Sequence, residues 1–82
     1  MESDEGEKLR DAILDLLNKR GEGKSICPSE AARQAFPEGW RCRMAKCREI
    51  ARDLAREGKI EICQSGEPVA PDQTLRGPIR LR

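Results

Sequence analysis

The sequence predicts a mainly α domain with a small β-ribbon: a winged helix-turn-helix of three helices and a two-stranded wing. Three observations carry that prediction. Apolar residues recur at helical spacing in three stretches separated by glycine and proline. Two short segments of alternating apolar and polar residues follow the last of them. A polar segment holding Gly66, Pro68, Pro71 and Gly77 separates those two, too long for a tight hairpin loop. The order of elements is that of a winged helix-turn-helix. At 82 residues the chain supports one compact core, so a single domain is expected over residues 1–82, with 1–6 disordered and 65–77 as the wing loop.

In the first stretch Leu9, Ala12, Ile13, Leu16 and Leu17 fall on one helical face, while Asp11, Asp15, Lys19 and Arg20 lie largely off it. A helix over 5–20 follows, closed by Gly21. Pro28 at a first helical position, with Glu30 three residues after Cys27, marks the start of a second helix over 28–36. Its apolar residues Ala31, Ala32 and Ala35 are small, which leaves Phe36 as its anchor. Pro37 and Gly39 then break the chain. A third helix over 40–57 carries the stripe Trp40, Met44, Cys47, Ile50, Ala51 and Leu54 and ends at Gly58. Ile60 and Ile62 alternate with Glu61 and Cys63, and Ile79 and Leu81 alternate with Arg80 and Arg82. Pro78 stands at the start of the last strand, where a missing amide donor is tolerated. A three-helix bundle with a disordered tail is the rival architecture, and it would leave Ile60, Ile62, Ile79 and Leu81 without a burial partner.

Composition removes several classes of function. Charged residues make up 38% of the chain against 37% hydrophobic, a balance that would suit disorder were the apolar positions not so periodic. No apolar run approaches the roughly 18 residues that span a bilayer, and the acidic residues 1–8 are unlike a signal peptide, so a cytoplasmic protein is expected, with no membrane partner. The absence of histidine excludes imidazole catalysis and imidazole ligands. Carboxylates are dispersed with no nucleophile–base set, and no enzyme activity is expected. Gly23-Lys24-Ser25 ends like a phosphate-binding loop, but Asn18 replaces the first glycine and a helix precedes the segment, which excludes nucleotide hydrolysis. Cys27, Cys42, Cys47 and Cys63 lack the close ligand pairs of a structural zinc site, so neither metal nor cofactor is expected. Cys47 reads as a small core residue, Cys27 and Cys63 as partly buried, and Cys42, if exposed, as a free thiol among arginines.

The segments Ser25-Ile26-Cys27-Pro28-Ser29-Glu30-Ala31-Ala32-Arg33, Trp40-Arg41 and Arg76-Gly77-Pro78-Ile79-Arg80 resemble a small family of bacterial domains of unknown function, similar to winged-helix proteins in expected fold. The resemblance runs from about Leu9 onward. It implies the same architecture and a bacterial cytosolic setting, and it implies no activity and no functional residue.

Charge supplies the functional expectation. Residues 1–24 hold five basic and seven acidic residues, whereas residues 41–82 hold ten basic and six acidic, so the second half would face a polyanion. The third helix of a winged helix enters the major groove, and no acid lies between Trp40 and Arg48. Arg41, Arg43 and Lys46 are therefore expected at the bases and phosphates, with Arg48 beside them, and Arg76 and Arg80 on the wing. Arg48, Arg52 and Arg56 also alternate with Glu49, Asp53 and Glu57, which reads as an ordinary self-neutralising helix face. Trp40 reads as a core plug rather than a base wedge. Duplex DNA is the favoured partner, in a transcriptional regulator or similar module. A net charge of only +1 keeps a protein-docking module on the same fold as the alternative, beside an RNA-binding domain.

Overall fold

A computed structural model describes residues 4–21, 23–73 and 77–82. It is mainly helical, three helices followed by a small antiparallel sheet in a helix-plus-wing layout. The elements are α1 (Asp4–Arg20), α2 (Pro28–Ala35), a 3₁₀ turn (Trp40–Arg43), α3 (Met44–Arg56), β1 (Ile62–Gln64), β2 (Glu67–Val69) and β3 (Arg80–Leu81). Each helix packs on the other two.

The first helix begins at Asp4, one residue before its expected start and inside the stretch 1–6 expected to be disordered. Asp4, Glu5 and Glu7 place negative charge at the positive end of the helix dipole, and Gly6 is buried. At α2 the expected cap forms: the Glu30 carboxylate accepts from the Cys27 backbone N–H at 3.2 Å. The third helix is not one continuous α-helix. Gly39 enters it with φ of 91°, the first turn is 3₁₀, and Arg43 at φ −107° and ψ 7° joins that turn to α3. The C-terminus of α3 closes as expected, with Gly58 at φ 79° and the Lys59 N–H donating back to the Leu54 carbonyl at 3.0 Å.

The wing departs most from expectation. Ser65 and Gly66 both take positive φ, 53° and 82°, the geometry of a two-residue hairpin turn, so the chain folds back immediately after β1. The result is a three-stranded sheet in the order β2-β1-β3 rather than a two-stranded ribbon with a long loop over 65–77. Ile62 stands opposite Val69 on one side and Leu81 on the other. Pro68 sits on the edge strand β2, where its missing N–H costs no ladder bond. On the far side of β3, Ile26 forms an isolated bridge to Leu81 through two backbone hydrogen bonds of 2.8 Å.

One core joins the two layers. Leu9 and Ile13 from α1, Ile26, Cys47 and Leu54 from α3, and Ile62 and Leu81 from the sheet are its largest fully buried side chains. Ile60 and Ile79 are buried in the same cluster, so the sheet residues that the three-helix rival would strand are core residues here. Phe36, Trp40, Met44 and Ile50 pack against the cluster while staying partly exposed. Among the described residues no helix is long and apolar enough to cross a membrane.

Candidate nucleic-acid interface

The third helix buries Cys47, Ala51 and Leu54 and turns its other faces outward. At 3.6 residues per turn, Arg48 and Arg52 lie one turn apart on the flank nearest the wing, and Lys46 lies about 160° around the helix from Arg48. The exposed surface of α3 therefore carries a cation at each margin, Lys46 on one and Arg48 on the other, with Arg52 between them. Arg41 is exposed on the preceding turn.

The expected site residues have different fates. Arg43 is used by the fold: its guanidinium lies 4.1 Å from the centre of the Phe36 ring, donates to the Gly39 carbonyl at 3.1 Å, and pairs with Glu5 at 3.1 Å. Its Nε is buried without a hydrogen-bond partner. Arg43 thus ties α1, the α2–α3 connection and the 3₁₀ turn together, and its charge is met by Glu5. Arg48 donates to the Gly77 carbonyl, anchoring the end of the wing to α3. Arg80 donates through Nε to the Ser25 hydroxyl at 3.0 Å and through Nη2 to the Ser25 carbonyl at 3.1 Å. Neutral oxygens fix where these two guanidinia sit without cancelling their charge. Arg76 lies outside the described residues.

The self-neutralising reading of α3 holds for one arginine of the three. Arg56 pairs with Asp72 of the wing at 2.8 Å and with Asp53 at 2.9 Å, and the Asp72 hydrogen bond above all raises its pKa. Glu57 turns away to Arg10 of α1, with Nη2 to Oε1 at 2.9 Å. That hydrogen bond holds the Glu57 carboxyl below its ordinary range. Among the described residues, Arg41, Lys46, Arg48 and Arg52 have no carboxylate partner. Elsewhere Lys19 pairs with Asp15, Arg20 with Glu30 and Arg82 with Glu61, whereas Lys8, Lys24, Arg33, Lys59 and Arg80 have no carboxylate partner among the described residues.

Two further basic and aromatic contacts escaped the sequence reading. The exposed Arg33 of α2 places its guanidinium 4.5 Å from the centre of the Trp40 ring, and Arg41 places its own at 4.9 Å. Arg33 is separated from the basic stretch by the break at Pro37–Gly39, so charge clustering along the chain could not find it. Trp40 does pack against the core, as expected, but its partly exposed ring also serves as a platform for two cations.

The cysteines divide as follows. Cys47 is buried, its Sγ 3.4 Å from the Pro28 carbonyl, and burial raises its pKa to about 11, keeping it a protonated thiol at neutral pH. Cys63 is buried rather than partly buried, on the sheet face opposite Ile62 and outside the core cluster, where its cross-strand neighbours are Arg80 and Pro68. Cys27 is half-buried and accepts from the Ser29 hydroxyl at 3.1 Å, and Cys42 is exposed. All four are free thiols. Among the described residues no three potential ligands gather to hold a metal ion.

Fold and surface together define a small helix-plus-wing domain whose third helix presents unneutralised cations. A family model described as "Protein of unknown function (DUF3253)" matches residues 6–82, and the chain belongs to that family. No curated protein matches it.

Proposed function

We propose that the domain is a winged helix-turn-helix module that binds duplex DNA and performs no catalysis itself. The outward face of α3 would enter the major groove, with the hairpin beside it on the phosphate backbone. One observation carries this reading: among the described residues, Arg41, Lys46, Arg48 and Arg52, four cations within twelve residues of the 3₁₀ turn and α3, all lack carboxylate partners, whereas the other cations without one, Lys8, Lys24, Arg33, Lys59 and Arg80, are spread over the rest of the chain, and Arg10, Lys19, Arg20, Arg43, Arg56 and Arg82 are paired. Leaving like charges on one face costs folding energy, and a polyanion recovers it on binding. A groove has a phosphate wall on each side, which suits a helix with Lys46 at one margin and Arg48 at the other. Arg80 extends the surface to the wing. Four free thiols agree with a reducing, cytoplasmic setting.

Fluorescence anisotropy of a labelled random-sequence duplex at two salt concentrations tests the proposal. Phosphate contacts from Arg41, Lys46, Arg48 and Arg52 alone give a log–log salt slope of about −3.6, so affinity falls by at least about 150-fold between roughly 50 and 200 mM salt. The double variant Lys46→Glu, Arg52→Glu should lose measurable binding while keeping its thermal melt. Arg43 is left intact in this test because the fold depends on it. No binding at low salt would overturn the proposal in favour of docking to another protein, the reading that the net charge of +1 supports.

A further inference from the structure

The Trp40 ring holds two arginines from different elements, Arg33 from α2 and Arg41 from the 3₁₀ turn, with guanidinium carbons 4.5 and 4.9 Å from its centre. Both arginines are exposed, and neither has a carboxylate partner among the described residues. With both charges this near one ring centre, they lie within about one Debye length of each other, about 10 Å at 0.1 M salt, so they repel with little screening. Core packing alone would not require this arrangement. Partial burial of Trp40 against the core satisfies the fold, yet its ring also orients two long side chains that would otherwise be free to change rotamer.

The position of the group is as informative as its chemistry. In a helix-turn-helix, the helix before the reading helix crosses the nucleic-acid backbone. Arg33 lies on that helix, and Arg41 lies just before the N-terminus of α3. We propose that Arg33, Trp40 and Arg41 form a phosphate clamp, an indole-backed pair of guanidinia that grips the backbone of one strand of duplex DNA beside the groove α3 enters. The clamp rests on the duplex reading above. Arg33 and Arg41 make the phosphate contacts. Trp40 is a positioning residue: it pre-orients both forks, so less freedom is lost when phosphate arrives, and it touches no base.

Trp40 is the only tryptophan in the chain, so its emission reports on the clamp directly. The unlabelled domain is titrated with a random-sequence duplex while Trp40 fluorescence is followed, and anisotropy of a labelled duplex is measured in parallel. In the wild type the emission should change along the same binding curve as the anisotropy. Arg33→Gln and Arg41→Gln should each flatten the log–log salt slope by about 0.9, and together by about 1.8. Trp40→Leu should weaken binding about two- to fivefold, the loss expected from removing an exposed cation–π contact, while leaving the slope unchanged because both charges remain. Circular dichroism melts establish that each variant is folded, and the wild-type emission change stands even if Trp40→Leu does not fold. If the duplex binds but Trp40 emission stays constant and the Arg33→Gln, Arg41→Gln slope equals that of the wild type, the clamp is refuted and the groove assignment survives. If no duplex binds, both fall together.

Discussion

The Leu81→Ala substitution tests whether sheet and helices form one cooperative unit. Leu81 is fully buried, stands opposite Ile62, and lies on the strand that bridges to Ile26. Its backbone hydrogen bonds survive truncation, so the cost is that of lost burial plus the cavity left behind, about 2–5 kcal/mol and taken as about 3. A domain of this length holds roughly 4–12 kcal/mol in total. Each kcal/mol moves the midpoint by about 4–8 °C in a domain of this size, so a fall of about 12–24 °C is expected. Thermal melts should be followed by far-UV circular dichroism, which reads the helices, and by Trp40 fluorescence, which reads the α2–α3 junction. Both signals should shift together by the same amount. A helix signal that melts at the wild-type temperature would refute the reasoning, because the sheet would then be an appendage to an independently stable helical bundle.

Two further predictions follow from named contacts. Arg43→Ala removes the Glu5 and Gly39 hydrogen bonds and the stack on Phe36, so the melting temperature should fall with a cost of about 1–2 kcal/mol, while the salt slope for duplex binding stays unchanged; an unchanged melt with a flattened slope would return Arg43 to the groove. Glu57, held below its ordinary value of 4.5 by the Arg10 hydrogen bond, and Asp15, held below 3.8 by Lys19 and then Gln34, contribute stability that is present above those unfolded values and is lost as pH falls through the lower folded values. Arg10→Met should therefore be less stable than wild type at about pH 6 in urea unfolding, with the gap narrowing as the pH falls below 4.5; a gap that does not change with pH would show that the Arg10–Glu57 pair contributes nothing through Glu57 ionisation.

Periodicity made the helices legible, because each needs only its own stretch to declare a face: Leu9 and Ile13 in α1, Cys47, Ala51 and Leu54 in α3. Gly58 marked a helix end for an equally local reason. The second strand was not legible, since Glu67-Pro68-Val69 has no alternation to show and carries the residue least expected in a sheet. Only the positive-φ pair Ser65-Gly66 makes it a strand, and serine is a weak signal for such a turn. Ile26 was missed because a lone apolar residue has no period. The candidate site was half legible. The absence of acids from Trp40 to Arg48 pointed to the right surface, but charge along a chain does not say which cations the fold consumes. Arg43 is bound by Glu5, 38 positions away, and Arg33 joins Trp40 across a break that ends the second helix. Both outcomes are tertiary, and neither has a local signature.

The bridge between Ile26 and Leu81 sets a schedule for the domain as it leaves the ribosome. All three helices are synthesised before β3, and Ser25 and Arg80, which hydrogen-bond to each other, lie 55 positions apart. At 5–20 residues per second, the segment before α2 waits roughly 3 to 11 s for the strand that covers it. In the later part of that interval, once α3 is complete, the nascent helices share a core that lacks Ile79 and Leu81, with the Ile26 edge open. The arrival of one two-residue strand therefore ends the period in which the young chain is most vulnerable to proteases and to pairing with its neighbours.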